Sequence, residues 1–183
     1  MALSILTSCQ IGGESNYPYT KEETRQFLND ITKNAVVNIT DLTERNKQLA
    51  DEFEIVTYYP LSAAKLKEFE ANDSMLKNKN DDLSDFTSYT FKAYELTNES
   101  CEQLKFVDNG RAIYLQEYGL WAYDKVMCQN LGISVKLDGK FKTLKGSIII
   151  EFEMPNHLKK EVKIPVAISV NDKLPMQWNG ENS

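Results

Sequence analysis

The chain has 183 residues, of which 42% are hydrophobic and 26% charged, and its formal net charge is -6. This composition suits one globular domain with a substantial core. The acidic balance argues against a nucleic-acid-binding protein and against attachment to anionic lipid by charge alone, because both need clustered Lys and Arg side chains.

The first nine residues end in Leu6-Thr7-Ser8-Cys9, an aliphatic residue and two small residues before a cysteine. This motif resembles the lipobox of bacterial lipoproteins, in which a peptidase cuts before the cysteine and the thiol carries a diacylglycerol. The resemblance covers nine residues and implies lipidation at Cys9 and a place in the bacterial cell envelope. Gln10 after the cysteine resembles the sorting preference for the outer membrane.

The residues ahead of Cys9 lack the basic segment of a secretory signal. We therefore expect the signal to begin upstream of residue 1; the alternative is an ordinary first strand with a buried cysteine. Residues 10–19 contain Gly, Ser, Asn and Pro without periodicity, which predicts a flexible tether. Residues 1–19 are thus interpreted as a signal remnant, lipobox and tether.

Residues 20–81 are predicted to be mainly helical. Thr20 and Glu23 have capping-box spacing, and apolar residues follow at helical spacing, which predicts a helix over 21–33. The pattern over 35–53 favours a second helix, although residues 35–39 alone would also suit a strand. Residues 54–60 are typical of a strand, and residues 61–72 are rich in helix formers.

Residues 82–172 alternate apolar and polar side chains between turn signals, which predicts an antiparallel β-sandwich, Ig-like or related. Asn109-Gly110 and Asp138-Gly139 are each predicted to close a hairpin, and Pro155-Asn156 to turn the chain into a last strand. Residues 173–183 are interpreted as a tail. The predicted fold class is α+β, with N-terminal helices followed by the sandwich.

Two further cysteines, Cys101 and Cys128, form an even pair if Cys9 is lipidated. In an oxidising compartment such a pair is a disulfide candidate. Two buried, reduced cysteines of a cytosolic protein are the alternative.

Catalytic patterns are sparse. His157 is the only histidine, which excludes most His-dependent triads and zinc sites. Glu151 and Glu153 share one strand face, as paired carboxylates of a hydrolase would, but their alternation with apolar residues is typical of a solvent-facing surface. We therefore expect no enzyme, no metal and no cofactor.

An aromatic cluster marks a candidate binding surface; its members are Tyr114, Tyr118, Trp121 and Tyr123. Asp73-Ser74-Met75 resembles the acidic-Ser/Thr-apolar acceptor of bacterial O-glycosylation, which makes Ser74 a candidate glycosylation site.

The combined expectation is a non-enzymatic, lipid-anchored envelope protein that recognises another envelope protein. By architectural analogy it would be a secretion-machine accessory or an immunity-type protein. The alternatives are a lipoprotein that binds a sugar or small ligand, and a carboxylate-dependent hydrolase. The expected partners are a membrane, through the lipid, and an envelope protein, with no nucleic acid.

Overall fold

The computed structural model describes residues 17–39, 49–60, 83–115, 121–123 and 126–172, with the backbone alone described at 113–115, 121–123 and 126–129. The elements in these ranges are α1 (Lys21–Lys33), β1 (Ala35–Asn38), β2 (Ala50–Pro60), a 3-10 helix (Leu83–Phe86), β3 (Ser88–Asn98), β4 (Arg111–Leu115), β5 (Trp121–Tyr123), β6 (Val126–Phe141), β7 (Thr143–Glu153) and β8 (Lys159–Ser169).

Helix α1 begins with the predicted capping box. The Thr20 hydroxyl accepts a hydrogen bond from the Glu23 amide at 3.2 Å, and the Glu23 carboxylate accepts one from the Thr20 amide at 2.8 Å. These bonds satisfy amides that have no partner within the helix. The Thr20 amide and the Thr20 hydroxyl both donate to the Glu23 carboxylate and so lower the pKa of Glu23. The prediction of a helix over 21–33 is confirmed.

Two antiparallel sheets make up most of the described chain. Sheet A has the order β1-β2-β6-β4, with the short β5 also paired to β6, and sheet B has the order β3-β7-β8. The alternating strand residues of both sheets bury one face in a common core. Phe53, Ile55 and Ile133 of sheet A and Leu96, Ile148 and Ile150 of sheet B belong to that core.

Helix α1 closes one end of this core. Phe27, Leu28 and Ile31 lie on its buried face, and the Phe27 ring meets Tyr59 of β2 edge-on with centroids 5.0 Å apart. After the helix, the Asn34 side chain donates to the Tyr58 carbonyl at 3.0 Å, which directs the chain into β1 beside β2.

The molecule therefore has two ends. We call the "helix end" the one that carries α1, the 3-10 helix and the β7–β8 turn, residues 154–158. The "hairpin end" carries the β6–β7 link at Lys142 and the turn over residues 98–102. The 11 residues of β7 run between the two ends, a length of about 36 Å at ~3.3 Å per residue.

The prediction of several N-terminal helices is wrong, and the fold is mostly β rather than α+β. In the described part of the chain α1 is the one α-helix, and residues 35–38 and 50–53 belong to strands β1 and β2. Val36 and Val37 are β-branched, and each finds a partner in β2. This pairing outweighs the weak helical spacing of the apolar residues. Both strands precede residue 82, yet they join strands that follow it in sheet A.

The Asn109-Gly110 pair does not close a hairpin. Phe106 precedes the pair and Arg111 follows it, and both lie opposite residues of β6. The chain therefore continues along β6 in the same direction. Gly110 has φ 71°, and its amide donates to the Asp108 carboxylate at 2.9 Å. The pair therefore forms a kink, for which the same positive φ is needed as for a turn.

The Asp138-Gly139 pair lies inside β6, where the register with β2 shifts. The chain turns later, at Lys142, and continues as β7 in the other sheet. By contrast, the predicted turn at Pro155-Asn156 is confirmed, since it joins β7 to β8 as a hairpin.

Gly146 marks the closest approach between β3 and β7. It has φ 145°, and a Cβ atom there would lie 1.8 Å from the Glu95 carbonyl oxygen. Such a distance is a severe overlap, so this position of β7 accepts only glycine.

Because α1 closes one end of the core, Ile31→Ala should lower the free energy of unfolding substantially. Ile31 is 0% exposed, and truncation of a fully buried Ile costs about 2–5 kcal/mol. Urea unfolding should show this loss, whereas Lys33→Ala, on the exposed side of the same helix, should change stability by less than about 0.5 kcal/mol. Equal losses for the two variants would contradict the packing described for α1.

Candidate functional site

Several sequence-predicted sites lie outside the described residues. Cys9, Ser74 and Tyr118 belong to this group, as does the tail over 173–183. Lipidation at Cys9 and glycosylation at Ser74 therefore stay predictions.

The other three aromatic candidates lie on the edge strands of sheet A. Tyr114 in β4 pairs with Gly132, and Trp121 and Tyr123 in β5 pair with Cys128 and Val126. Because β4 and β5 flank the same side of β6, the structure aligns these three positions along one edge of the sheet.

The structure does not bring Cys101 and Cys128 together. Cys101 is a free, exposed thiol in the turn at the hairpin end. Cys128 lies near the start of β6, opposite Pro60 at the helix end. The intervening length of β6 is about 40 Å at ~3.3 Å per residue, whereas a disulfide needs Cα atoms within about 7 Å.

The carboxylate pair lies on the outer face of sheet B and contacts lysines. Lys92 lies 2.9 Å from the Glu151 carboxylate, and Lys159 lies 2.7 Å from that of Glu153. The Glu153 carboxylate raises the pKa of Lys159. These contacts form a cross-strand charge ladder on a solvent-facing surface. Among the described residues, no group of three or more His, Cys, Asp or Glu could hold a metal ion.

A junction at the helix end attaches the chain that enters the domain, and we call it the "entry junction". It consists of Tyr17, Thr24, Phe86 and Asn156. The Tyr17 ring meets Phe86 edge-on with centroids 5.2 Å apart, and its hydroxyl lies 2.7 Å from the Thr24 hydroxyl oxygen.

The proton positions at the entry junction follow from Thr24. Its hydroxyl donates to the Thr20 carbonyl at 2.8 Å and accepts from the Asn156 amide at 3.0 Å. Its single proton is thus used, so the Tyr17 hydroxyl is the donor in the Tyr17–Thr24 bond. Burial, together with the nearby Glu23 charge, raises the pKa of Tyr17, so the phenol stays protonated.

Sequence reasoning missed the entry junction. The sequence predicts a tether over the whole of residues 10–19, but Tyr17 packs on the domain. Thr24 and Asn156 are 132 residues apart in the chain, so no local pattern links them. The one available signal was the pair of aromatic residues Tyr17 and Tyr19 at the end of a polar segment, because such rings seldom stay in solvent near a core.

At the hairpin end, Glu99 holds the link between the sheets. Its carboxylate accepts hydrogen bonds from the amides of Lys142 and Thr143 at 2.9 and 3.1 Å. Its own backbone amide and these two amides lower the pKa of Glu99, because all three bonds favour the ionised form.

The two ends carry turns of the same form. In one, the Cys101 amide donates to the Asn98 carbonyl, and in the other the His157 amide donates to the Met154 carbonyl. Cys101 has φ 62° and His157 has φ 60°, a left-handed conformation in which glycine is preferred. The residues at positions 101 and 157 are thus equivalent, at opposite ends of the molecule.

A second aromatic cluster, not predicted from the sequence, joins β3 to the segment before β4. Phe106 stacks on Tyr94 with ring centroids 3.7 Å apart and meets Phe91 edge-on at 4.9 Å. Burial and the charge of Asp108 raise the pKa of Tyr89, beside Phe91, to about 12. The rings are half-buried and hold this segment on the domain, next to Val107, which is 59% exposed.

Comparison with protein-family models, with curated proteins and with solved structures finds no match for the chain. Within the described ranges, no helix is long and apolar enough to cross a bilayer.

The contribution of Glu99 to the free energy of unfolding should depend on pH. Since its pKa is lowered from 4.5 in the folded state, the stabilisation is complete above the unfolded pKa and is lost as pH falls through the folded pKa. Glu99→Gln should therefore be less stable than wild type in urea at pH 7, and the difference should vanish near pH 2. The control is Glu95→Gln, at an exposed position of the preceding strand β3. A difference between Glu99→Gln and wild type that is independent of pH would contradict the assignment.

Cys101→Gly should stabilise the protein. Glycine removes the Cβ penalty of the left-handed conformation, about 1–2 kcal/mol, and loses part of that gain through the entropy of the unfolded chain. We expect a net gain of about 0.5–1 kcal/mol in urea unfolding. Cys101→Ala retains the Cβ atom and should show no gain, so an equal gain in both variants would attribute the effect to the thiol instead.

Proposed function

We propose that this protein is a lipid-anchored protein of the bacterial cell envelope that acts, without catalysis, as a protein-interaction module. The observation that carries the proposal is the Leu6-Thr7-Ser8-Cys9 motif placed directly ahead of a packed β domain. The entry junction supports it, because the chain from Cys9 reaches the domain at Tyr17 and is attached there.

The accessory role is supported by the surfaces that the domain offers to a partner. The edge strands β4 and β5 place Tyr114, Trp121 and Tyr123 along one side of sheet A, and Val107 is 59% exposed. Edge strands and aromatic residues are common elements of protein contacts. Anchoring raises the local concentration of such a domain near other envelope proteins, so modest contacts suffice.

The alternative of a carboxylate-dependent hydrolase receives no support from the described surface. A hydrolase of this kind needs one carboxyl group with a raised pKa facing a second across a cleft. Glu151 and Glu153 instead lie on one flat face and contact Lys92 and Lys159.

Lipidation is tested by expression in a bacterial host, with a secretory leader joined ahead of Leu6. The protein should take up labelled palmitate and float with membranes in a density gradient. Cys9→Ala should abolish both, whereas Cys101→Ala, which removes a thiol that is free in the folded domain, should alter neither. A wild-type protein that stays unlabelled and does not float would overturn the proposal.

A further inference from the structure

The entry junction determines the end of the domain at which an anchored chain arrives. Tyr17 contacts Phe86 of the 3-10 helix, and its hydroxyl bonds Thr24 of α1. Thr24 in turn accepts from Asn156 in the β7–β8 turn. The contacts of three elements thus place Tyr17 at the helix end and not along the side of the sandwich.

The tether is short compared with the domain. Eight peptide steps separate Cys9 from Tyr17, which span at most about 28 Å at ~3.5 Å per residue. The domain is longer, since the 11 residues of β7 alone extend about 36 Å. An inverted domain, with its hairpin end at the bilayer, would need its helix end about 36 Å above the lipid, beyond the reach of the tether.

The two lysines that follow the β7–β8 turn are already engaged by neighbouring side chains. Lys159 lies against the carboxylates of Glu151 and Glu153, and the Lys160 ammonium group donates to the Asn29 side chain. A lysine that is paired with carboxylates, as Lys159 is, adds little attraction to anionic lipid. The length and the attachment point of the tether therefore exclude the inverted orientation.

We propose that the anchored protein stands on the membrane with its helix end toward the bilayer and its hairpin end outward. The outward surface comprises the Glu99–Cys101 turn and the β6–β7 link at Lys142. This inference rests on the proposed function.

The two equivalent turn positions supply matched probe sites for a test. Cys101 is a free, exposed thiol at the hairpin end, and His157 is 75% exposed at the helix end in the same left-handed conformation. The first probe uses Cys101 in a Cys128→Ser background. The second uses His157→Cys in a background of Cys101→Ala and Cys128→Ser. Each lipidated protein is labelled with a donor fluorophore and reconstituted into vesicles that contain acceptor-labelled lipid.

Energy transfer to the lipid should be strong from position 157 and weak from position 101. Insertion of about 20 Gly/Ser residues between Asn16 and Tyr17 extends the reach beyond the length of the domain, so the difference between the two probes should then collapse. Equal transfer in the original protein, stronger transfer from position 101, or a difference that survives the insertion would overturn the orientation while leaving the anchor intact. Protein that does not float with the vesicles would overturn the proposed function itself.

Discussion

The link at Lys142 is the constraint on which both sheets depend. It carries β6, the strand that pairs with β2, β4 and β5, directly into β7, the strand that pairs with β3 and β8. A link this short exposes backbone amides that need partners, and the Glu99 carboxylate satisfies two of them. Every other strand except β1 attaches to β6 or β7, so the relative position of the sheets follows from the geometry of this crossing.

Features governed by neighbouring residues were predictable from the sequence. The Thr20–Glu23 capping box and the apolar face of α1 lie within one segment, and the helix has the expected bounds. The Pro155-Asn156 turn is equally local. By contrast, residues 35–38 carry a pattern that suits either a helix or a strand, and the choice depends on β2, which is reached only after the intervening chain. Local propensity cannot anticipate a partner strand.

The two glycine pairs show a different limit of sequence reasoning. Asn109-Gly110 and Asp138-Gly139 signal a backbone that departs from regular strand geometry, and in both places the register with a neighbour shifts or the chain kinks. A glycine pair does not show whether the chain reverses direction there, because a bulge and a hairpin turn use similar backbone conformations. The entry junction was beyond prediction for the same reason as β1, because its members converge only in the folded molecule.

The glycine at position 146 also has a consequence for how the sheet assembles. Leu96 lies opposite Gly146, and the Glu95 carbonyl occupies the space that a Cβ atom would need there. A Cβ atom at position 146 would force β3 and β7 apart at this point, so the observed pairing of Leu96 with position 146 requires glycine there. The alignment of the two strands thus depends on an atom that is missing: the hydrogen of Gly146 leaves the room that the Glu95 carbonyl fills.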